Sequence, residues 1–142
     1  MKVHADTSFL VSLYTPDANS AKAAAQLSQT KAVVLLTPLS EVELTNALEL
    51  RIFRKEISRA EADAARSAFQ QDVGDNVFSV VPAPSGAYAK AQQLSRKHTA
   101  AQGLRTLDIL HVAAALALGA DRFCSFDARQ RKLAASEGLA TN

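Results

Sequence analysis

Short apolar runs alternate with longer helix-forming segments along the chain, and this alternation restricts the possible folds more than any other feature. Residues 32–36 (AVVLL) are apolar, rich in β-branching and too few for a helix, so they read as a buried parallel strand. Residues 2–5 (KVHA), 76–81 (NVFSVV) and 122–126 (RFCSF) are further strands, with 138–140 (GLA) as a last short one. Helical patterns occupy 8–14, 17–30, 37–53, a segment opening at Ser58, 87–99, 107–118 and 127–137, with 100–106 as a loop. Thr15-Pro16 and Thr37-Pro38 both read as helix starts, because proline's fixed φ suits a first turn. Ser58 and Glu61 form a capping box; the helix it opens carries Ala60, Ala64, Ala68 and Val73 on one face and stops at Gly74. Strand–helix alternation predicts a single domain over residues 1–142, an α/β fold of three α/β/α layers around a central parallel sheet.

Composition agrees with this and sets limits on function. A chain of 142 residues that is 48% hydrophobic can bury one core, and its many alanines favour closely packed helices. The net charge of +2 neither demands nor forbids a nucleic-acid partner, since local clustering decides that. A single cysteine, Cys124, cannot form an internal disulfide, which points to a reducing compartment and to a small buried hydrophobe. Asp6 interrupts the apolar run near the N-terminus, so no secretory signal is read. The most apolar helix, 109–120, is too short for a bilayer. The expectation is a cytoplasmic protein with no membrane partner.

In open parallel sheets ligands bind beyond the carboxyl ends of strands, where strand order reverses. Four separate segments offer a carboxylate there: Asp6 after the first strand, Glu41 or Glu43 after the second, Asp108 opening the apolar helix, and Asp127 after the fourth strand. Each also has a structural reading. Asp6 and Asp127 suit helix N-caps, Asp108 suits a first helical turn, and Ser40 with Glu43 spells a capping box. Asp108, however, falls among apolar neighbours with no lysine or arginine along its helix to offset desolvation. A hard divalent cation would satisfy several such acids at once: magnesium, for which manganese can substitute. The chemistry that fits is phosphodiester hydrolysis.

The segments ADTS at Asp6, SEVELTNAL at Glu43 and Asn46, RTLDILHVAAAL at Asp108 and FCSFD at Asp127 resemble, in that order, a PIN-domain nuclease of the VapC toxin type. The resemblance implies a magnesium-dependent endoribonuclease that dimerises and is held inactive by a cognate antitoxin. It assigns Asp6, Glu43, Asp108 and Asp127 as the metal-site acids, with Thr7, Asn46 and Ser125 as polar supports. Glu41 and Glu43 point about 200° apart on a helix, so only one can face the site, and Asn46 and Ala47 favour Glu43.

Arg105, Arg51, Arg54 and Arg129 are candidate contacts for RNA phosphates, although basic runs also form ordinary solvated faces. His111 reads as a hydrogen-bonded core histidine, although its spacing from Asp108 also suits a ligand; His98 reads as exposed and unpartnered, and His4 as ambiguous. Leu48, Ile52 and Phe53 would pack inside the domain or against an antitoxin helix, in a groove formed with 10–14. Two rival classes are a PIN-like binding module without catalysis and an aspartyl-phosphate domain. The second lacks its residues: Ser8 stands where a second aspartate is wanted, and 76–82 offers no acid.

Overall fold

The computed structural model describes Met1–Asn142. Its elements run β1 (Val3–Ala5), α1 (Thr7–Tyr14), α2 (Ser20–Gln29), β2 (Val34–Leu36), α3 (Pro38–Phe53), α4 (Arg59–Gly74) and β3 (Phe78–Val80). They continue with α5 (Gly86–Leu94), a π-helical turn (Ser95–Thr99), α6 (Ala100–Gln102), α7 (Thr106–Ala117), β4 (Arg122–Cys124), α8 (Ala128–Ser136) and β5 (Ala140–Thr141). All strand pairs are parallel, in the order β3-β2-β1-β4-β5. This is the expected α/β/α sandwich. The chain winds outward from β1 in both directions, so the order reverses beside β1, between β1 and β4. That is where a doubly wound sheet opens a crevice at its carboxyl edge.

The two faces of the sheet bury separate cores, and the alternation of side chains assigns each residue to one. Val3 and Ala5 point toward Phe9, Leu10, Leu44, Leu48, Phe69 and Phe78; Phe123 points the other way, toward Ile109, Val112 and Leu133. His4, between Val3 and Ala5, lies opposite Phe123 in the β1–β4 register and stacks on it at 5.7 Å and 15°. His4 is therefore a core residue. Burial draws its pKa down to about 3, so it packs as a neutral aromatic ring.

Several local expectations change. Thr15-Pro16 ends α1 instead of opening α2: the Thr15 N–H and hydroxyl both donate to the Val11 carbonyl. The Asp17 carboxylate then accepts from the Asn19 N–H, and the turn delays α2 to Ser20. Thr37-Pro38 does open its helix. The capping box at Ser58 and Glu61 is present in both directions. The buried residues of α4, however, are Ala62, Ala65 and Phe69, because the large ring dictates which way the helix faces and alanine has little say. Only Val73 of the expected stripe packs against the core. Helical structure also continues past residue 99 to Gln102, where Gly103, at φ 62°, ends it. No helix is long and apolar enough to cross a membrane.

Candidate active site

Asp6 leaves β1 and caps α1. The Ser8 hydroxyl (2.7 Å) and the Phe9 N–H (3.0 Å) donate to its Oδ1, and the Ser125 hydroxyl (2.8 Å) donates to its Oδ2. The residue is 1% exposed, and burial raises its pKa despite these three donors. Ser125 follows β4 and also accepts the Asp127 N–H at 3.0 Å, so one hydroxyl ties the two strand ends together. Asp127 caps α8, accepting the Arg129 and Gln130 N–H groups at 2.8 and 3.1 Å. The N-cap reading of both aspartates is therefore correct, and it does not remove them from the edge of the sheet.

Glu43 is the acid of α3 that faces this edge; Glu41 is exposed. The Thr7 hydroxyl donates to Glu43 Oε2 at 2.6 Å, and His111 Nε2 bonds the same oxygen. Burial would raise the Glu43 pKa, but the bonds from His111 and Thr7, with the charge of Arg105, hold it below the usual carboxylate range. The expected capping box with Ser40 does not form. Thr37 is the N-cap, which places Ser40 inside the helix with its buried hydroxyl unpartnered.

Asp108 departs most from expectation, because it does have a cation. Arg105 Nε lies 3.2 Å from Oδ2, reaching back from the residue that caps α7, while Gln130 Nε2 donates to Oδ1 at 2.7 Å. Asp6, Asp127 and Asp108 thus form one hydrogen-bonded chain through Ser125 and Gln130. Glu43 connects to it through Thr7, the neighbour of Asp6, and through His111 on the Asp108 helix.

A cleft of about 530 Å³ runs alongside, lined by Thr7, Ser8, Asp127 and three of the four candidate arginines, Arg51, Arg54 and Arg105. Arg129 is exposed on α8. Arg51 is already engaged, bonding Thr15 at 2.7 Å and pairing with Asp17 and Glu56 at 3.4 and 3.7 Å. Asn46, expected beside Glu43, is exposed and shares a shallow hollow with Glu41, Thr45 and Glu49. Leu48 is fully buried and Ile52 packs on the core, which leaves only Phe53 of that trio projecting, 82% exposed.

Oxygen donors at a strand edge suit magnesium or manganese. The expected close cluster is nevertheless not formed: no three His, Cys, Asp or Glu side chains stand together so as to hold a metal ion. The reason is visible in the bonding. Each carboxylate has turned to a nearby protein donor, so cation binding would replace Arg105 at Asp108 and hydroxyls at Asp6.

Sequence reasoning missed two supports, Ser8 and Gln130. Their spacings, two residues after Asp6 and three after Asp127, were the available signals. His111 is buried and bonded as expected, but its partner is a site acid. His98 corrects the expectation: its side chain is only 11% exposed and bonds Glu137 at 2.7 Å. Cys124 is buried as expected, with its thiol pushed up to about 11 by that burial.

A PIN-domain family model matches residues 3–136. No match was found among curated proteins. Among solved structures, the VapC20 toxin of Mycobacterium tuberculosis, described as cleaving the sarcin–ricin loop, aligns with a TM-score of 0.71 over 96% of each chain at 19% identity. FitAcB from Neisseria gonorrhoeae gives 0.71 at 17% identity, covering 98% of this chain and 95% of its own. VapBC2 from Rickettsia felis, bound to a DNA fragment from its promoter, gives 0.68 at 13%, covering 100% and 98%. At these identities the structures speak for the fold. The family match, spanning every segment that contributes to the acidic edge, makes the chain a member of the PIN domain family.

Proposed function

We propose that this chain is a magnesium-dependent endoribonuclease, the toxin of a toxin–antitoxin pair, acting in the cytoplasm on RNA phosphodiester bonds. The observation that carries the reading is the gathering of four remote segments at the edge where the strand order reverses. Hydrogen bonds through Ser125 and Gln130 join Asp6, Asp127 and Asp108, and Glu43 is held by Thr7, beside Asp6, and by His111, on the Asp108 helix. Magnesium, or manganese in its place, would be held by these four acids once they turn from their present protein donors, and would supply charge neutralisation at the phosphate and a lowered pKa for water.

The chain's own groups have separable tasks. Thr7 and Ser125 hold the Glu43 and Asp6 carboxylates by hydroxyl donation. Arg105 has a mostly exposed side chain, at 76%, and can exchange Asp108 for an RNA phosphate, since its guanidinium bonds either anion. Arg54, exposed in the same cleft, adds a second backbone contact, with Arg129 beyond it on α8. Arg51, anchored on two acids, shapes the wall of the cleft. The toxin that cleaves the sarcin–ricin loop shares the fold, which favours structured RNA as the substrate class. Exposed apolar residues on α3, Val42 and Phe53, offer ground for an antitoxin and for a second copy of the chain in a homodimer.

The test is cleavage mapping on total RNA with antitoxin-free protein, with and without EDTA, with Asp6→Asn as control. Chelator-sensitive cuts that vanish in the variant support the reading; cutting that is equal in both refutes the site. A second reading, a binding module without catalysis, has one observation in its favour: every acid is already bonded to a protein donor. Absence of chelator-sensitive cleavage over a range of RNAs would select it.

A further inference from the structure

His111 stands one turn after Asp108 on α7, so the two side chains share a helix face. Its ring is 1% exposed and lies 6.2 Å from that of His4, which in turn stacks on Phe123. The imidazole is thus held on the second core of the sheet and reaches the acidic edge only through Nε2, which bonds Glu43. Its other nitrogen, Nδ1, is buried and has no partner.

We propose that His111 is a positioning residue that donates from Nε2–H to Glu43 and presents that carboxylate for cation binding. This rests on the nuclease reading above. Two observations carry it. With the proton on Nε2, the ring buries only a bare lone pair at Nδ1; the other tautomer would bury an N–H without an acceptor, which is the costlier defect. Moreover, Thr7 and His111 both bond Oε2, from α1 and α7 respectively, so Oε1 is the oxygen of Glu43 left to face a ligand. A carboxylate on a flexible side chain is thereby fixed by donors on two other helices. Outer donors of this kind orient the ligands of metal sites.

The experiment compares His111→Gln, His111→Asn and His111→Leu with wild type in the metal-free and Mn²⁺-titrated protein. Glutamine places an amide N–H near the former Nε2; asparagine is polar but too short, and leucine fills the volume without a donor. Calorimetry with Mn²⁺ alone should show affinity reduced about 10- to 100-fold in the leucine and asparagine variants, and largely restored by glutamine. RNA cleavage should follow the same order, and thermal unfolding identifies any variant that fails to fold. If leucine does not fold, glutamine against asparagine carries the same contrast. The ring ¹⁵N shifts of metal-free wild type should report the Nε2–H tautomer.

A ring protonated on Nδ1, or Mn²⁺ affinity indifferent to all three substitutions in folded protein, overturns the proposal while leaving the nuclease reading intact. Equal loss with glutamine and asparagine, matched by equal loss of melting temperature, makes the role merely structural and also overturns it. If wild type shows the Nε2–H ring yet neither binds Mn²⁺ nor cuts RNA, the nuclease reading fails, and the proposal fails with it.

Discussion

Asp6 and Glu43 stand at the same edge of the sheet, yet the protein treats their charges in opposite ways. Asp6 is sealed beneath α1, and its three donors do not make up for lost hydration, so its carboxyl resists ionisation. Glu43 is less buried, lies beside His111 and within the field of Arg105, and ionises more readily than a free glutamate. One acid is therefore held at the expense of stability and the other stabilises the fold. A buried carboxylate bonded only by neutral donors in the resting protein is characteristic of sites that trade stability for function. The contrast makes the two carboxylates separable by experiment even though both are assigned to one reaction.

Asp6→Asn should have the largest effect. Cleavage should fall by at least about 100-fold, the upper range for losing even an indirect support of a metal ligand. Stability should rise, by about 0.5–2 kcal/mol near neutral pH. The sign follows from linkage. The Asp6 pKa is higher in the folded than in the unfolded chain, so its ionised form penalises the fold above the folded pKa. As pH falls from the raised folded pKa to the ordinary carboxylate range that penalty disappears, and thermal melts of wild type and variant should converge.

Glu43→Gln should abolish cleavage to a similar extent while moving stability the other way. The folded Glu43 pKa is depressed, so its contribution is present above the usual glutamate range and is lost as pH falls through the folded value. The variant should be less stable by about 1 kcal/mol at neutral pH, the typical worth of a hydrogen bond, and the gap should close in acid. Melts in which both variants shift in the same direction would erase the contrast.

Ser125→Ala sharpens it from the side of Asp6. Removing the hydroxyl takes a donor from Oδ2 and an acceptor from the Asp127 N–H. The Asp6 pKa should climb further, the acid limb of the rate profile should move to higher pH, and cleavage at neutral pH should drop about tenfold, at the low end for an outer support. Arg105→Ala should be mildest. An ion pair with so exposed an arginine is worth less than about 1 kcal/mol, so melting should hardly change. RNA affinity should fall a few-fold and its salt dependence should flatten by about 0.7 to 0.9 in log–log slope, as for one lost phosphate contact.

How much of this was legible in the sequence depended on which physical signal governed each residue. The parallel sheet was readable because short apolar runs such as 32–36 have few alternatives, and the acids were readable because each follows a strand or opens a helix. His4 was not, since its fate depends on the cross-strand neighbour Phe123, which no local pattern reveals. The face of α4 departs from its alanine stripe because alanines mark periodicity without weight, whereas Phe69 decides burial. The bonding of the acids leaves no local signal in the sequence. Arg105 and Asp108 are close in sequence, but whether an arginine turns back to its own helix or out to solvent is a matter of rotamer and packing. Gln130 reaches Asp108 from a different helix altogether.

The central claim is that these carboxylates jointly bind one class of ligand, a divalent cation. Thermal unfolding of wild type and Asp6→Asn across a Mn²⁺ titration tests it most directly, because a ligand of the folded state raises stability by about 2.7 kcal/mol at 100 times its dissociation constant. The account predicts a melting temperature that climbs with Mn²⁺ in wild type and stays flat in the variant. A flat response in wild type, or the same climb in both proteins, would contradict it.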